Sequence, residues 1–219
     1  MQAKINTIAA WHGIIASVET KVRFLQKHPA LKDILGLVAF IAAVALGTLI
    51  LNTFVFRSYN VVGHSMDDTL HPGDRLIVNR LPVTWAHLQR KEYVPKRGQI
   101  IVFENPSFSP GAKDQYIVKR VIAFGGEEIE LKDGKFTIYN DEHPDGFNPD
   151  DDFNGEPKSP TSHELDRTRI PEGELFVAGD NRVGNNSLDS RDGLGNVPLG
   201  DVVGPAGIRI FPLNKIRFF

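Results

Sequence analysis

The chain has 219 residues, with 25 Lys and Arg side chains against 27 Asp and Glu side chains. Because these charges nearly cancel, the composition argues against a basic nucleic-acid-binding protein. The chain contains no cysteine, which excludes disulfides, thiolate metal sites and cysteine nucleophiles. Hydrophobic residues make up 41% of the chain, enough for a sizeable core in one or two domains.

Residues 1–33 form an N-terminal segment that precedes the most hydrophobic part of the chain. Its apolar residues recur at near-helical spacing, and they are Ile5, Ile8, Trp11, Ile14, Ile15 and Val18. This spacing predicts an amphipathic helix on the membrane surface. A loosely ordered cytoplasmic tail explains the same residues, and both interpretations stay open.

Residues 34–56 read ILGLVAFIAAVALGTLILNTFVF and carry no charge. About 20 consecutive apolar residues span the hydrocarbon core of a bilayer, so this run predicts a single transmembrane helix. A cleaved secretory signal has a shorter apolar region nearer the start of the chain, so we expect the helix to stay in the mature protein.

Basic residues are unevenly distributed around this apolar run. Lys21, Arg23, Lys27 and Lys32 lie shortly before it, whereas Arg57 alone follows it before Arg75. Because positive charges favour the cytoplasmic side, we expect a cytoplasmic N-terminus and a larger domain on the outer or luminal side. The plasma membrane and an internal thylakoid-type membrane both fit this arrangement.

Residues 57–131 and 170–219 contain short β-branched runs separated by Gly, Pro, Asn and Asp, which is typical of strands joined by turns. The predicted strands here are 59–62, 75–79, 99–103, 116–123, 128–131, 175–178 and 208–211, and a further strand is predicted at 136–139, between the two ranges. Regular helical periodicity is absent from this part. The pattern predicts a mainly β domain, either a sandwich or a partly closed barrel.

Residues 132–169 are rich in Asp, Pro, Gly and Asn and poor in apolar residues. We interpret them as a small inserted cap with one hairpin and long loops, which adds little to the core. The run Asp150, Asp151, Asp152 lacks the alternation and the glycine of a calcium-binding loop, so a solvated acidic loop is expected there.

Metal and nucleotide chemistry lack their usual motifs in this sequence. The seven histidines form no His-x-x-x-His or His-Glu-x-x-His pair, and no Walker-type or Gly-x-Gly-x-x-Gly loop is present. We therefore predict neither a metal centre nor a cofactor. Nucleophilic catalysis by a hydroxyl group remains.

Ser65 is the first candidate for such a nucleophile. It lies in the turn Gly63-His64-Ser65-Met66-Asp67, nine residues beyond the apolar run, and nine extended residues reach at most about 30 Å. It would therefore act close to the membrane. His64 is a poor base for it, because neighbouring side chains on extended backbone point to opposite faces. Taken alone, Ser65 is equally explained as an ordinary turn residue.

Lys119 is the second candidate. The period of two along a strand places Lys119 on the same face as Ile117 and Val121. A lysine among aliphatic side chains has a lowered pKa and can act as a base for a serine. The alternative is a lysine whose stem packs while its amine reaches water.

Two polar segments follow the apolar strand 175–178, at 179–182 and at 186–191. Asp189 and Arg191 are placed to form an ion pair that fixes a loop, and Ser187 to hydrogen-bond a buried amine. An ordinary Asn/Gly/Ser turn is the other explanation.

Taken together, these segments resemble the type I signal peptidase family, whose members are membrane-anchored Ser–Lys endopeptidases. The resemblance covers most of residues 58–212, and its segments occur in the family's order. They are GHSMDDTL at 63–70, GDRLIVN at 73–79, RGQIIVF at 97–103, YIVKRVIAFGG at 116–126, GDNR at 179–182 and NSLDSR at 186–191.

The resemblance implies that Ser65 is the nucleophile and Lys119 its general base. It implies that Ser187 orients the lysine amine, that Asp189 and Arg191 hold their loop by a salt bridge, and that the backbone N–H of Ser65 is one oxyanion donor. The substrates would be exported preproteins, whose signal peptides are removed at small-x-small sites. The expected surroundings are membrane lipid, and no nucleic acid partner is expected.

The sequence departs from the family pattern in three places. Gly63 stands where some relatives carry a hydroxyl donor for the oxyanion, and Asp68 stands where proline is usual. The loop between Arg182 and Asn186 is longer than in the family, which bears on the placement of Ser187.

Two alternatives to a general signal peptidase follow from these departures. One is a catalytically silent relative that binds exported chains, and the other is a Ser–Lys peptidase dedicated to one partner protein.

Four apolar residues near the predicted site are candidates for lipid contact or for the core, namely Met66, Leu70, Phe211 and Phe218. The oligomeric state is left open.

Overall fold

The computed structural model describes residues 28–67, 69–111, 114–152, 161–184 and 186–219. The predictions for residues 1–27 and for Asp68 lie outside these ranges. The chain divides into two compact units, residues 1–51 and residues 52–219.

The described part of the first unit is one apolar helix. Helix α1 (Pro29–Ile50) begins with a proline in its first turn, where no hydrogen bond is lost, and none of its residues is buried. A π-helical turn follows over Leu51–Val55. The whole apolar segment Pro29–Val55 is long enough to cross a membrane. The predicted helix 34–56 is therefore present, although it begins earlier and Phe56 already belongs to a strand.

The second unit is built from eleven strands and one short α-helix in the described residues. In chain order these are β1 (Phe56–Asn60), β2 (Arg75–Asn79), α2 (Leu81–Leu88), β3 (Ile100–Glu104), β4 (Tyr116–Phe124), β5 (Glu128–Lys132), β6 (Lys135–Tyr139), β7 (Leu165–Arg169), β8 (Glu174–Ala178), β9 (Val197–Pro198), β10 (Val202–Phe211) and β11 (Arg217–Phe218). The mainly β fold class is confirmed. Helix α2 was missed, because eight residues with a proline give little periodicity.

The larger sheet is antiparallel and curled, with strand order β1-β2-β10-β3-β4-β8-β9 and β11 beside β10. Strand β10 makes the bend, because its register shifts between Val202 and Gly204 and again after Ala206. One edge of β10 pairs with β2, and its other edge pairs first with β3 and then with β11. At Gly204 a Cβ atom would lie 2.4 Å from the carbonyl oxygen of Asn79, so this close approach requires glycine.

The smaller sheet, in the order β6-β5-β7, packs on the back of β4 and β8. Phe136 and Ile138 from β6 are fully buried, and the Phe136 ring meets the edge of Phe176 with centroids 6.0 Å apart. The expectation that 132–169 adds little to the core was therefore wrong. The strand predicted at 136–139 is present as β6, and its inward residues belong to one core cluster with Ile122.

The four candidates for lipid contact divide into two pairs. Met66 and Leu70 are 1% and 0% exposed and belong to a core cluster with Leu76. Phe211 and Phe218 are 54% and 77% exposed. Core packing therefore accounts for the first pair and not for the second.

Candidate active site

Ser65 lies in a tight turn just after the chain leaves β1. Backbone hydrogen bonds from Val61 to Asp74 and from Gly73 to Val61 hold the end of the strand before the turn. Beyond Ser65, Met66 and Leu70 insert into the core and fix the turn from below. The Ser65 side chain is left at the surface of a cleft.

Lys119 approaches Ser65 from the middle of β4, where it pairs with Ile101 of β3. Its side-chain amine donates a hydrogen bond to Ser65 Oγ at 2.6 Å. Lys119 is only 3% exposed, and this burial lowers the pKa of its amine to about 8, although the carboxylate of Asp189 acts in the opposite direction. A larger neutral fraction of the amine is therefore present near neutral pH than for an exposed lysine.

Asp189 is fully buried behind the lysine and accepts hydrogen bonds from three sides. The donors are the N–H of Gly179 at 2.8 Å, the hydroxyl of Ser187 at 2.6 Å and the guanidinium of Arg191 at 2.6 Å. Burial by itself raises the pKa of Asp189, but Arg191 and the other donors lower it below its ordinary value. Asp189 is therefore an ionised carboxylate in a closed polar pocket.

Ser187 is 3% exposed and lies in the same pocket, but its hydroxyl hydrogen is directed to Asp189. In the described part of the chain, the hydrogen bond of the Lys119 amine is the one to Ser65. The lone pairs of Ser187 Oγ are left for an amine donor. The role of Ser187 toward Lys119 stays a prediction.

Gly179 passes between the Ser65 turn and Ser187 at very short range. A Cβ atom there would lie 2.2 Å from Ser187 Oγ and 2.2 Å from the carbonyl oxygen of Ser65. The next residues extend this contact, because Asn181 donates its N–H to the Ser65 carbonyl at 3.1 Å and its side-chain amide to the His64 carbonyl at 3.0 Å. The segment after β8 is thus packed against the turn that carries Ser65.

A second buried network, which the sequence had not assigned, supports the site from the other face of β4. Arg120 Nε donates to Asp180 Oδ1 at 2.7 Å, and Thr69 Oγ1 donates to the other carboxylate oxygen of Asp180 at 2.5 Å. All three residues belong to motif segments quoted above, and this shared membership was the one feature of the sequence that could have indicated the network. The network joins β4, the turn that carries Ser65 and the end of β8.

His64 is directed away from Ser65, with its ring nitrogen 2.7 Å from a carboxylate oxygen of Asp67. Its side chain is 71% exposed. His71 contacts the other oxygen of Asp67 at 3.2 Å. Of the groups in the described residues, Lys119 therefore stands in the position of a base for Ser65.

The cleft beside Ser65 and Lys119 has a volume of about 550 Å³. Residues 59–63 and 114–119 line it, together with Ser65 and Leu188. At Tyr116 the guanidinium of Arg57 donates to the phenol oxygen at 3.3 Å. An open cleft between two extended segments has the shape required by an extended peptide.

Comparison with known proteins shows the family of the chain. The family model described as "Signal peptidase, peptidase S26" matches residues 32–211. The chain belongs to the signal peptidase S26 family. Signal peptidase I of Bacillus licheniformis is 34% identical over 182 residues, which are 82% of this chain and 89% of that protein.

Two further relatives come from Synechocystis and from Arabidopsis thaliana. The probable signal peptidase I-1 of Synechocystis is 33% identical, over 76% of this chain and 77% of that protein. The chloroplastic thylakoidal processing peptidase 1 of Arabidopsis thaliana is 30% identical, over 77% of this chain and 47% of that protein.

Membership of the family confirms the predicted activity. The chain is a membrane-anchored serine peptidase that hydrolyses peptide bonds and removes signal peptides from preproteins. The apolar segment Pro29–Val55 is consistent with the anchor.

Proposed function

We propose that Ser65 is the nucleophile and Lys119 the general base of this signal peptidase. The observation that supports the pair is the 2.6 Å hydrogen bond between the Lys119 amine and Ser65 Oγ inside a buried site. A neutral amine at this distance can take the hydroxyl proton as Oγ attacks the carbonyl carbon of the scissile bond.

The proton that Lys119 has taken is then used to release the leaving group. The tetrahedral intermediate collapses when the protonated Lys119 gives its proton to the leaving amine, which leaves the acyl group on Ser65. Water enters, gives a proton to Lys119 and attacks the ester carbonyl. Ser65 Oγ recovers that proton when the acid product leaves.

The oxyanion would be held by the backbone N–H of Ser65. Among the described residues this N–H donates to no other group, so it is available to the substrate. Gly63 has no side chain to add a second donor, and its φ of 81° suits glycine. Any second donor must therefore come from the backbone.

We assign positioning roles to Ser187, Asp189 and Arg191. The salt bridge between Asp189 and Arg191 is closed to solvent, with side chains 0% and 1% exposed. It fixes the loop that carries Ser187, whose oxygen can accept a hydrogen bond from the Lys119 amine once that amine is protonated. This support would orient the base after it has taken the proton.

The substrate would be an extended segment with small side chains, of the Ala-x-Ala type. It would pair its backbone with the extended segments 59–63 and 114–119 that flank the cleft. The catalytic unit would lie on the outer or luminal side, since the basic residues Lys21, Arg23, Lys27 and Lys32 precede the span. The plasma membrane and a thylakoid-type membrane are the two candidates.

Cleavage of purified preproteins in detergent tests the dyad. The wild type should release a mature protein whose N-terminus, determined by mass spectrometry, follows an Ala-x-Ala-like site. Ser65→Ala and Lys119→Met should both be inactive, whereas Lys135→Met, which removes an exposed lysine, should cleave normally. Activity that survives Lys119→Met would contradict the assigned base. Cleavage of one preprotein among many would indicate a dedicated peptidase.

A further inference from the structure

Helix α2 carries a row of exposed apolar side chains that the fold does not use. Leu81, Trp85 and Leu88 are spaced by four and three residues, which places them on one face of the helix. They are 52%, 64% and 73% exposed. The opposite face is anchored in the body through Val83, which is 4% exposed. Three large apolar side chains in a continuous row mark an interaction surface.

The same helix is hydrogen-bonded to the end of the apolar span. The N–H of Arg80 donates to the carbonyl oxygen of Val55 at 2.8 Å, and the hydroxyl of Thr84 donates to the carbonyl oxygen of Phe54 at 2.8 Å. The last carbonyl groups of a helix have no partner within that helix, and unpaired carbonyls near hydrocarbon are unfavourable. The start of α2 supplies two of the missing donors.

These bonds determine the level at which α2 lies. The uncharged run ends at Phe56 and is followed by Arg57, so residues 54–57 mark the boundary between the hydrocarbon and the headgroups. Because α2 is bonded to residues 54 and 55, it must lie at that boundary as well. Exposed Arg90 and Lys91 follow the helix directly and suit anionic headgroups.

We propose that α2 is an interfacial helix whose row of Leu81, Trp85 and Leu88 contacts the lipid of the bilayer. This inference rests on the membrane anchor and not on the catalytic roles of Ser65 and Lys119. The occupant of the row is lipid because α2 is hydrogen-bonded to residues 54 and 55 at the end of the uncharged run, and Trp85 belongs to the residue type that favours the membrane interface.

Contact of α2 with the bilayer also orients the cleft. Asn79 lies two residues before the first residue of α2 and pairs with Phe56 at the start of β1. The start of β1 and the end of β2, which are paired with each other, are therefore both held at the membrane surface. Strand β1 then leads directly to Tyr59 and Asn60, which line the cleft. A substrate still held in the bilayer meets the cleft at a fixed height.

Fluorescence of Trp85 tests the contact in the full chain. The sequence has two tryptophans, so Trp11→Phe leaves Trp85 as the single probe. The protein is reconstituted into phosphatidylcholine–phosphatidylglycerol vesicles with or without brominated acyl chains. An interfacial helix buries its apolar face by about 5–10 Å. We expect blue-shifted emission and strong quenching, greater for bromines near the glycerol end of the chain than for bromines near its tip.

Two variants in the Trp11→Phe background provide the controls. Leu81→Gln with Leu88→Gln removes the rest of the row and should reduce the quenching severalfold. His87→Gln changes an exposed position outside the row and should leave it unchanged. Circular dichroism and thermal unfolding establish that each variant is folded.

Two results would overturn the inference. Emission typical of indole in water, without quenching by any brominated lipid, would show that α2 is away from the bilayer. Blue-shifted emission that brominated lipid does not quench would show that a second copy of the chain covers the row.

Discussion

At the scale of single residues, the burial of Lys119 has two opposite effects. It disfavours the charged amine and so lowers the pKa to about 8, which suits the amine to its proposed role as a base. The same burial destabilises the folded protein wherever the amine is protonated. The site thus gives up stability for reactivity.

The first prediction concerns the free energy of unfolding. The Lys119 amine has a pKa of about 8 in the folded state against an ordinary value of 10.5, a difference that corresponds to about 3 kcal/mol. Because the unfolded state holds more protons between these two values, stability rises with pH across that window. Lys119→Met should therefore be more stable than the wild type, by up to about 3 kcal/mol below pH 8.

Denaturant unfolding in detergent at a series of pH values measures this effect. The difference between Lys119→Met and the wild type should shrink as the pH rises from about 8 toward 10.5. Lys135→Met, at an exposed position, should show no such pH-dependent difference. Equal stability of Lys119→Met and the wild type at pH 7 would show that the amine carries no burial penalty.

At the scale of elements, the end of β8 determines the position of Ser65, the proposed nucleophile. Gly179 is placed so closely against Ser65 and Ser187 that no side chain fits. Its N–H also donates to Asp189. The alignment of Ser65 with Lys119 therefore depends on a residue that takes no part in the chemistry.

Replacement of Gly179 by alanine tests that dependence. A Cβ atom 2.2 Å from Ser65 O must displace the turn, and a shift of about 1 Å in an active site lowers the rate by about 100-fold. We expect Gly179→Ala to lose at least that much in kcat/KM for preprotein cleavage. In Gly200→Ala the new Cβ lies 3.8 Å from its nearest neighbour, so that variant should remain active. Normal activity of Gly179→Ala would mean that the segment is not held against Ser65.

Strand β6 shows that the small sheet belongs to the core. Phe136 is packed against other core side chains and is 0% exposed to solvent. Phe136→Ala should lower the free energy of unfolding by about 3–5 kcal/mol, whereas Lys135→Ala on the outer side should change it by less than about 0.5 kcal/mol. Denaturant unfolding gives both values. A loss under about 1 kcal/mol for Phe136→Ala would support a separate cap instead.

At the scale of the whole molecule, the sequence alone predicts the elements that depend on local patterns. The uncharged run 34–56 predicts the anchor, and alternation along 116–123 predicts that Lys119 shares an apolar face. The order of the motif segments predicts the family. These features are readable because each depends on residues close together in the chain.

Features that depend on distant contacts were not predictable in this way. The approach of Gly179 to Ser65 joins residues far apart in the sequence, and so does the bond from Thr69 to Asp180. The hydrogen bond that the Ser187 hydroxyl donates to Asp189 was not predictable either. Such choices among hydrogen-bond partners are made by packing, which local patterns do not encode.

The orientation in the membrane is a prediction for the whole molecule. Because the chain has no cysteine, a single cysteine placed at Lys32 or at Lys91 reports its side of the membrane. In intact cells or sealed vesicles of cytoplasmic-side-in orientation, an impermeant maleimide should label Lys91→Cys and not Lys32→Cys. Labelling of Lys32→Cys alone would show the opposite topology, with the N-terminus outside.

The measurement that tests the central claim most directly replaces the Lys119 amine chemically. Since the chain has no cysteine, Lys119→Cys can be alkylated at that one position with 2-bromoethylamine in denaturant and refolded in detergent. The product carries a thioether lysine analogue, whose amine has a lower pKa than that of lysine. For the wild type we expect kcat/KM to fall about tenfold per pH unit below a pKa of about 8. Unmodified Lys119→Cys should be inactive, and alkylation should restore cleavage with this acid limb moved to lower pH. Restored cleavage with an unmoved limb, or full activity without alkylation, would contradict Lys119 as the base.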